Sequence, residues 1–100
     1  MEEAPDIFME LDMAWAYAAG VNNEAYCALY RDRIRFLHVK DVVVENGSVS
    51  GRNIGEGAVD LLPALKQAAP DVWFIVENEK QNCTYADMEL CINNLKGMLL

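Results

Sequence analysis

The sequence has little positive charge, no long apolar run and no closely spaced pair of cysteines. Only eight lysines and arginines stand against sixteen acidic residues, so the net charge is −8. An anionic surface repels phosphate backbones, and no basic patch carries interleaved aromatics, so we expect no nucleic-acid partner. No apolar stretch approaches the roughly 20 residues of a membrane span, and the first six residues are too acidic for a secretory signal. We therefore expect no membrane partner.

The cysteine pattern and the hydrophobic content limit which classes of protein remain. Cys27, Cys83 and Cys91 are odd in number and widely spaced, which is typical of free thiols in a reducing cytoplasm. Hydrophobic residues make up 53% of the chain, against about 45–50% in ordinary soluble domains. Two interpretations remain open: a hydrophobic but ordinary α/β domain over residues 1–100, or a domain whose extra apolar surface meets a partner.

Strand and helix patterns alternate along the chain. Alternating hydrophobicity and β-branched runs predict strands over 7–13, 33–44 and 71–79. Helices are predicted over 24–31, 60–69 and 84–99. In the first of these, Leu29 is expected to face inward. The last is expected to begin at a capping box formed by Thr84 and Asp87. Residues 14–20 are expected to form an alanine-rich turn, and Asn46-Gly47 predicts a hairpin after the second strand. This order indicates parallel strands joined by helical crossovers.

Asp12, His38 and Glu77 each lie at or near the carboxyl end of a predicted strand, where α/β folds place their chemistry. Their spacings of 26 and 39 residues each match one strand–helix unit, and neighbouring parallel strands lie ~4.8 Å apart. Taken singly, such a histidine is more often a hydrogen-bonded core residue, and such carboxylates are more often caps. Taken together, they form a nitrogen and oxygen ligand set suited to Mn²⁺, Co²⁺, Zn²⁺ or Mg²⁺.

Four motifs in order resemble the C-terminal portion of the sugar phosphate isomerase/epimerase family, whose members are xylose isomerase-like TIM barrels. These motifs are LDMAWAYAAGVN, YRDRIRFLHVKD, GEGAVD and VWFIVENE. The resemblance implies a partial TIM barrel of three consecutive βα units, matching the sixth to eighth strands of the family, with a small hairpin after the second strand. Residues 1–100 would then be a C-terminal fragment of such a domain.

The same resemblance implies roles for individual residues. Asp12, His38 and Glu77 match three of the four family metal ligands, and Glu77 is also the expected acid/base. Side chains expected to face a sugar or sugar phosphate substrate are Trp15, Lys40, Asp41 and Glu56, although solvated loop charges explain the last three equally well.

The reaction implied is isomerisation or epimerisation by proton transfer through an enediolate, assisted by a divalent metal. The fifth-strand glutamate of the family has no counterpart, so we expect the isolated chain to be incomplete. It would require a second copy or a complementary N-terminal barrel portion. Two alternatives stay open: a non-enzymatic oligomeric barrel fragment, and a metal-dependent dehydratase or hydrolase of the same superfamily.

Overall fold

A computed structural model describes residues 8–99 of the 100-residue chain as a mixed α/β fold. The strands are β1 (Met9–Asp12), β2 (Ile34–Val39), β3 (Asp41–Glu45), β4 (Ser48–Arg52) and β5 (Trp73–Val76). The helices are α1 (Met13–Ala18), α2 (Asn23–Leu29), α3 (Leu61–Leu65) and α4 (Tyr85–Leu99). Strands and helices thus alternate as the sequence predicts, with the predicted hairpin after β2, but two helices rather than one follow β1.

The main sheet has three parallel strands in the order β1-β2-β5. Its register aligns side chains in rows across the strands. One row contains Glu10, Phe36 and Trp73, and another contains Asp12, His38 and Ile75. Alternate residues point to opposite faces of a sheet, so the predicted strand-end residues Asp12 and His38 share one face with the two aromatic side chains.

The opposite face of this sheet forms part of the core. Leu37 and Val39 of β2 are fully buried there, and Phe74 and Val76 of β5 pack against them. The core continues into the helices through buried residues that include Met13, Cys27, Leu61, Ala64, Cys91 and Leu95. The face bearing His38 is different, because Phe36 is 37% exposed and Trp73 is 71% exposed. In the described part of the chain, helices therefore cover one face of the sheet and leave the other open.

Strands β3 and β4 form a separate antiparallel hairpin whose turn is Asn46-Gly47. Both turn residues have positive φ, 52° and 79°, as a type I′ turn requires. The predicted hairpin is confirmed. Its other end lies beside the carboxyl end of β5, where a Cβ atom on Gly51 would overlap the backbone of Glu79.

Several predicted strand limits are wrong. Residues 33–44 form two strands rather than one, because the chain changes pairing partners at Lys40. Before it, β2 pairs with β1 and β5; after it, β3 pairs only with β4. The third strand is Trp73–Val76 rather than 71–79, since its pairing with β2 ends at Val39. The first predicted strand shortens to Met9–Asp12, and its Ile7 lies outside the described residues.

The helices also differ in part from expectation. Residues 13–18 form α1 rather than a turn, because the Asp12 carboxylate caps the N–H groups of Ala14 and Trp15. Leu29 does not face inward but is 73% exposed. The buried face of α2 instead carries Asn23 and Cys27, which lie four residues apart and hence on one side of a helix. The helix predicted over 60–69 ends at residue 65.

Candidate functional site

His38 and Glu77 meet at the carboxyl ends of the neighbouring strands β2 and β5. His38 Nδ1 contacts Glu77 Oε1 directly, while the other ring nitrogen, Nε2, lies 3.9 Å from Glu10 Oε2. The His38 side chain is 25% exposed, so the imidazole is held by a carboxylate yet remains reachable from the open face. A partly buried imidazole–carboxylate pair can orient a ring nitrogen and move a proton.

Asp12 lies in register with His38 on β1, but its carboxylate is directed elsewhere. Its Oδ1 accepts hydrogen bonds from the N–H groups of Ala14 and Trp15, each at 3.1 Å. Its Oδ2 lies 2.9 Å from Lys40 Nζ. Asp12 therefore caps α1 and pairs with an ammonium group, and the structure does not bring it onto the His38–Glu77 pair.

Lys40 is a buried cation at the strand ends. Its side chain is 4% exposed, and Nζ bridges Asp12 at 2.9 Å and Glu79 at 2.7 Å. Burial alone would lower the pKa of Lys40, but hydrogen bonds to Glu79 and Asp12 outweigh it, and the pKa lies above its ordinary value. The ammonium therefore stays charged and ties the segment after β5 to the end of β1. Trp15, 57% exposed, has its ring centroid 5.9 Å from the same Nζ.

Asp41 does not face the candidate site, because it is buried and occupied by backbone donors. Its carboxylate accepts N–H groups from Val42, Gly55, Gly57 and Val59 at 3.0–3.1 Å. These contacts fold the loop between β4 and α3 around one side chain. Its role is thus structural.

Glu56 belongs to that same loop and is exposed. Among the predicted substrate-facing residues, Lys40 and Trp15 accompany Asp12. Glu56 instead belongs to the folded loop, and Asp41 at the start of β3 binds the backbone of that loop. The structure therefore divides the predicted substrate-facing residues into one group at the strand ends and another at the loop before α3.

The fit of a divalent cation can be examined from the side chains themselves. Donor types are suitable, since an imidazole and carboxylates coordinate Mn²⁺, Co²⁺ and Zn²⁺. The arrangement of these donors is less suitable. Within residues 8–99, no three His, Cys, Asp or Glu side chains are grouped so that they could hold one ion. Asp12 is ion-paired with Lys40, which leaves His38 and Glu77 as the adjacent pair of donors. Two of the three predicted ligands meet, and the third does not join them.

Two carboxylates of this region were not identified from the sequence. Glu79 binds Lys40, and Glu10 approaches His38. The sequence did carry a signal for Glu79, because it follows Glu77 by two residues just as Lys40 follows His38. Both pairs therefore lie at the carboxyl ends of adjoining strands. Glu10 alternates with Asp12 on β1 and so shares its face. Pairing between strands, which periodicity alone does not give, was needed to bring these groups together.

Comparison with known proteins adds no family. No protein-family model matches the chain, and no curated protein matches it. The isomerase/epimerase resemblance therefore rests on the motifs of the sequence itself. Among the described residues, no helix is long and apolar enough to cross a membrane.

Proposed function

We propose that this chain is part of a divalent-metal-dependent isomerase or epimerase acting on a sugar or sugar phosphate. The observation that carries the proposal is the contact between His38 and Glu77 at the carboxyl ends of adjacent parallel strands, on the uncovered face of the sheet. Asp12 lies one strand away in register. The proposed compartment is the cytoplasm, as the cysteine pattern predicts.

In this proposal Glu77 is the acid/base that moves a proton next to a sugar carbonyl. His38 holds the Glu77 carboxylate in place through Nδ1, and the low exposure of the imidazole limits competition from water. A divalent cation, when bound, would polarise the carbonyl and its neighbouring hydroxyl and so favour an enediolate. His38 and Glu77 are its nearest ligands in this chain, and Asp12 could join only by leaving Lys40.

The proposed architecture is a partial TIM barrel. Its support is the order of the parallel sheet, in which each strand pairs with the next parallel strand along the chain, as in a barrel. The proposed partner is a second copy or a complementary N-terminal barrel portion, which would supply further ligands and the remaining substrate contacts.

Thermal unfolding in the presence of metal tests this proposal. Saturating Mn²⁺ or Co²⁺ should raise the melting temperature, since a ligand at a hundredfold excess over Kd stabilises by about 2.7 kcal/mol. His38→Ala should abolish the rise, because it removes the nitrogen ligand. Asp32→Asn is the matched control, since it removes an exposed carboxylate and should keep the full rise.

Two results would contradict the metal site. One is a melting curve that saturating metal leaves unchanged. The other is a rise that survives in His38→Ala but falls in Asp32→Asn, which would show that cations bind diffusely to the acidic surface.

A second candidate function is favoured by the open face of the sheet. Phe36 and Trp73 are neighbours in register there and both are exposed. Parallel sheets are ordinarily covered on both faces. The chain could therefore act as a non-enzymatic subunit whose role is assembly through this face. Metal binding without turnover by the assembled protein would favour this candidate.

A further inference from the structure

Side chains alternate in direction along the segment that follows β5. Glu77 contacts His38 and Glu79 binds Lys40, whereas the Asn78 amide, which lies between the two carboxylates in sequence, reaches the hairpin and α4. This alternation is typical of an extended chain, although strand β5 has already ended. The position of the two carboxylates therefore depends on what holds Asn78.

Both polar groups of the Asn78 side chain are engaged. Its Nδ2 donates to Asn53 Oδ1 at 2.8 Å and to Cys91 Sγ at 3.3 Å. Its Oδ1 accepts the Lys80 N–H at 2.8 Å, which fixes the main chain around Glu79. Asn53 is 3% exposed and Cys91 is fully buried. Asn78 therefore ties the segment that carries the proposed acid/base to a buried part of the fold.

A carboxylate determines how these amides are oriented. Asn53 Nδ2 donates to Asp87 Oδ1 at 3.0 Å, so the Asn53 oxygen is the atom that faces Asn78 and it must accept. The Asn78 amide is then required to present its NH₂ group, because only that group can donate. Asp87 lies in the first turn of α4. Through two amides, the start of this helix thus fixes the segment that begins at Glu77.

The contact between Glu77 and His38 Nδ1 has a consequence for the imidazole ring. A carboxylate accepts, so in the neutral ring the proton lies on Nδ1 and the lone pair on Nε2. We propose that Asn78 is a positioning residue that selects this tautomer by holding the Glu77 carboxylate at Nδ1. The inference rests on the proposed function and deepens it, because it names Nε2 as the nitrogen presented to a metal or substrate. Glu10 Oε2, 3.9 Å from Nε2, is too distant to hydrogen-bond it.

The ¹⁵N chemical shifts of the two ring nitrogens test this inference in the metal-free protein. His38 is the only histidine of the chain, so its ring signals are unambiguous. At about pH 9, where an ordinary histidine is neutral, these shifts report which nitrogen carries the proton. We expect the wild type to favour the Nδ1–H form about tenfold, as one hydrogen bond to a charged group would. Asn78→Ala should lower this ratio about fivefold, because the unanchored carboxylate no longer stays at Nδ1.

Asn94→Ala is the matched control. Asn94 Nδ2 donates to the Ile54 carbonyl at 2.7 Å, so this part-buried amide also ties α4 to the residues that follow β4. Its loss should lower stability in urea as the loss of Asn78 does, but should leave the tautomer ratio unchanged. Asn78→Ser keeps an oxygen that can accept the Lys80 N–H, and should lower the ratio only about twofold. Amide spectra show whether each variant is folded, and Asn78→Ser decides if Asn78→Ala is not.

Three results would overturn the inference: a wild-type ring protonated mainly on Nε2, an unchanged ratio in a folded Asn78 variant, or an equal change in Asn94→Ala. Failure of this inference is distinguishable from failure of the proposed function, because the ring measurement contains no metal. A ratio that follows Asn78 in a protein whose melting curve ignores metal would contradict the metal site and still support the positioning role.

Discussion

Asp41 organises a loop by filling all its acceptor positions with backbone donors. Oδ1 accepts the N–H groups of Val42 and Val59, and Oδ2 accepts those of Gly55 and Gly57. Gly57 is required by this packing, because a Cβ there would overlap the Asp41 carboxylate. One side chain thereby joins the start of β3 to the loop before α3.

Asp41→Asn should destabilise the protein although it barely changes the shape of the side chain. In either orientation, the amide NH₂ of asparagine would face two backbone N–H groups that the carboxylate accepts in the wild type. The expected loss is about 2–4 kcal/mol in the free energy of unfolding, since hydrogen bonds to a charged group are worth ~1.5–3 kcal/mol each. Urea denaturation followed by circular dichroism measures it.

Asp32→Asn makes the same chemical change at an exposed position and should alter stability by no more than about 0.5 kcal/mol. A loss in Asp41→Asn no greater than in this control would show that the four contacts contribute little.

At the scale of elements, the start of α4 is fixed by a reciprocal capping box. The Thr84 N–H donates to Asp87 Oδ2 at 2.9 Å, and the Asp87 N–H donates to Thr84 Oγ1 at 3.2 Å. Asn53, which directly follows β4, also donates to Asp87, at 3.0 Å. The helix start is thus tied both to its own backbone and to the end of the hairpin.

These contacts predict that the free energy of unfolding depends on pH. Hydrogen bonds from Asn53 and Thr84, with Lys80 nearby, hold the pKa of Asp87 well below its ordinary value. A carboxyl group whose pKa is lower in the folded than in the unfolded protein stabilises the fold at pH values above its unfolded pKa of about 4. This stabilisation is lost as the pH falls below that value. Asp87→Asn should therefore be less stable than the wild type at pH 7, with a smaller difference at pH 3.

Urea denaturation across this pH range measures the effect. Glu89→Gln removes an exposed acidic group from the same helix and should parallel the wild-type profile. A difference between Asp87→Asn and the wild type that stays constant from pH 7 to pH 3 would rule out this titration.

Features determined by a few adjacent residues could be predicted from the sequence. Asn46-Gly47 has the positive φ angles of its turn, and Thr84 with Asp87 has the expected cap. Features that depend on distant partners could not. The break between β2 and β3 falls at Lys40, whose partners Asp12 and Glu79 are 28 and 39 residues away along the chain. The contacts of the candidate site also depend on residues that are distant along the chain.

Strand alternation placed His38 and Glu77 correctly at adjoining strand ends, and the structure brings them into contact. It did not indicate that Asp12 would be held by Lys40 and by the N–H groups of α1. A strand-end carboxylate has several possible partners, and only the packed structure selects among them.

At the scale of the molecule, one face of the parallel sheet has no helix over it within residues 8–99. Trp73 is 71% exposed, and its neighbour in register, Phe36, is 37% exposed. Contiguous apolar patches of this kind mark interaction surfaces. We expect the protein to form a dimer or larger assembly through this face.

Light scattering at micromolar concentration measures the assembly. Trp73→Glu should shift the protein toward monomer, because a carboxylate placed in the contact must be desolvated. Tyr85→Glu is the matched control, since Tyr85 is 93% exposed at the start of α4, outside the sheet. A wild-type protein that is strictly monomeric, or equal effects of the two variants, would contradict assembly through this face.

The order of the sheet has a consequence for how such a protein can be built. Among the described strands, β1 and β5 are the outer ones, and each main-sheet strand pairs only with its neighbour in the parallel series. Another strand could be added beside either of them without breaking a single existing pairing. The fold can thus grow one strand–helix unit at a time, which makes it a suitable module for gene fusion and duplication.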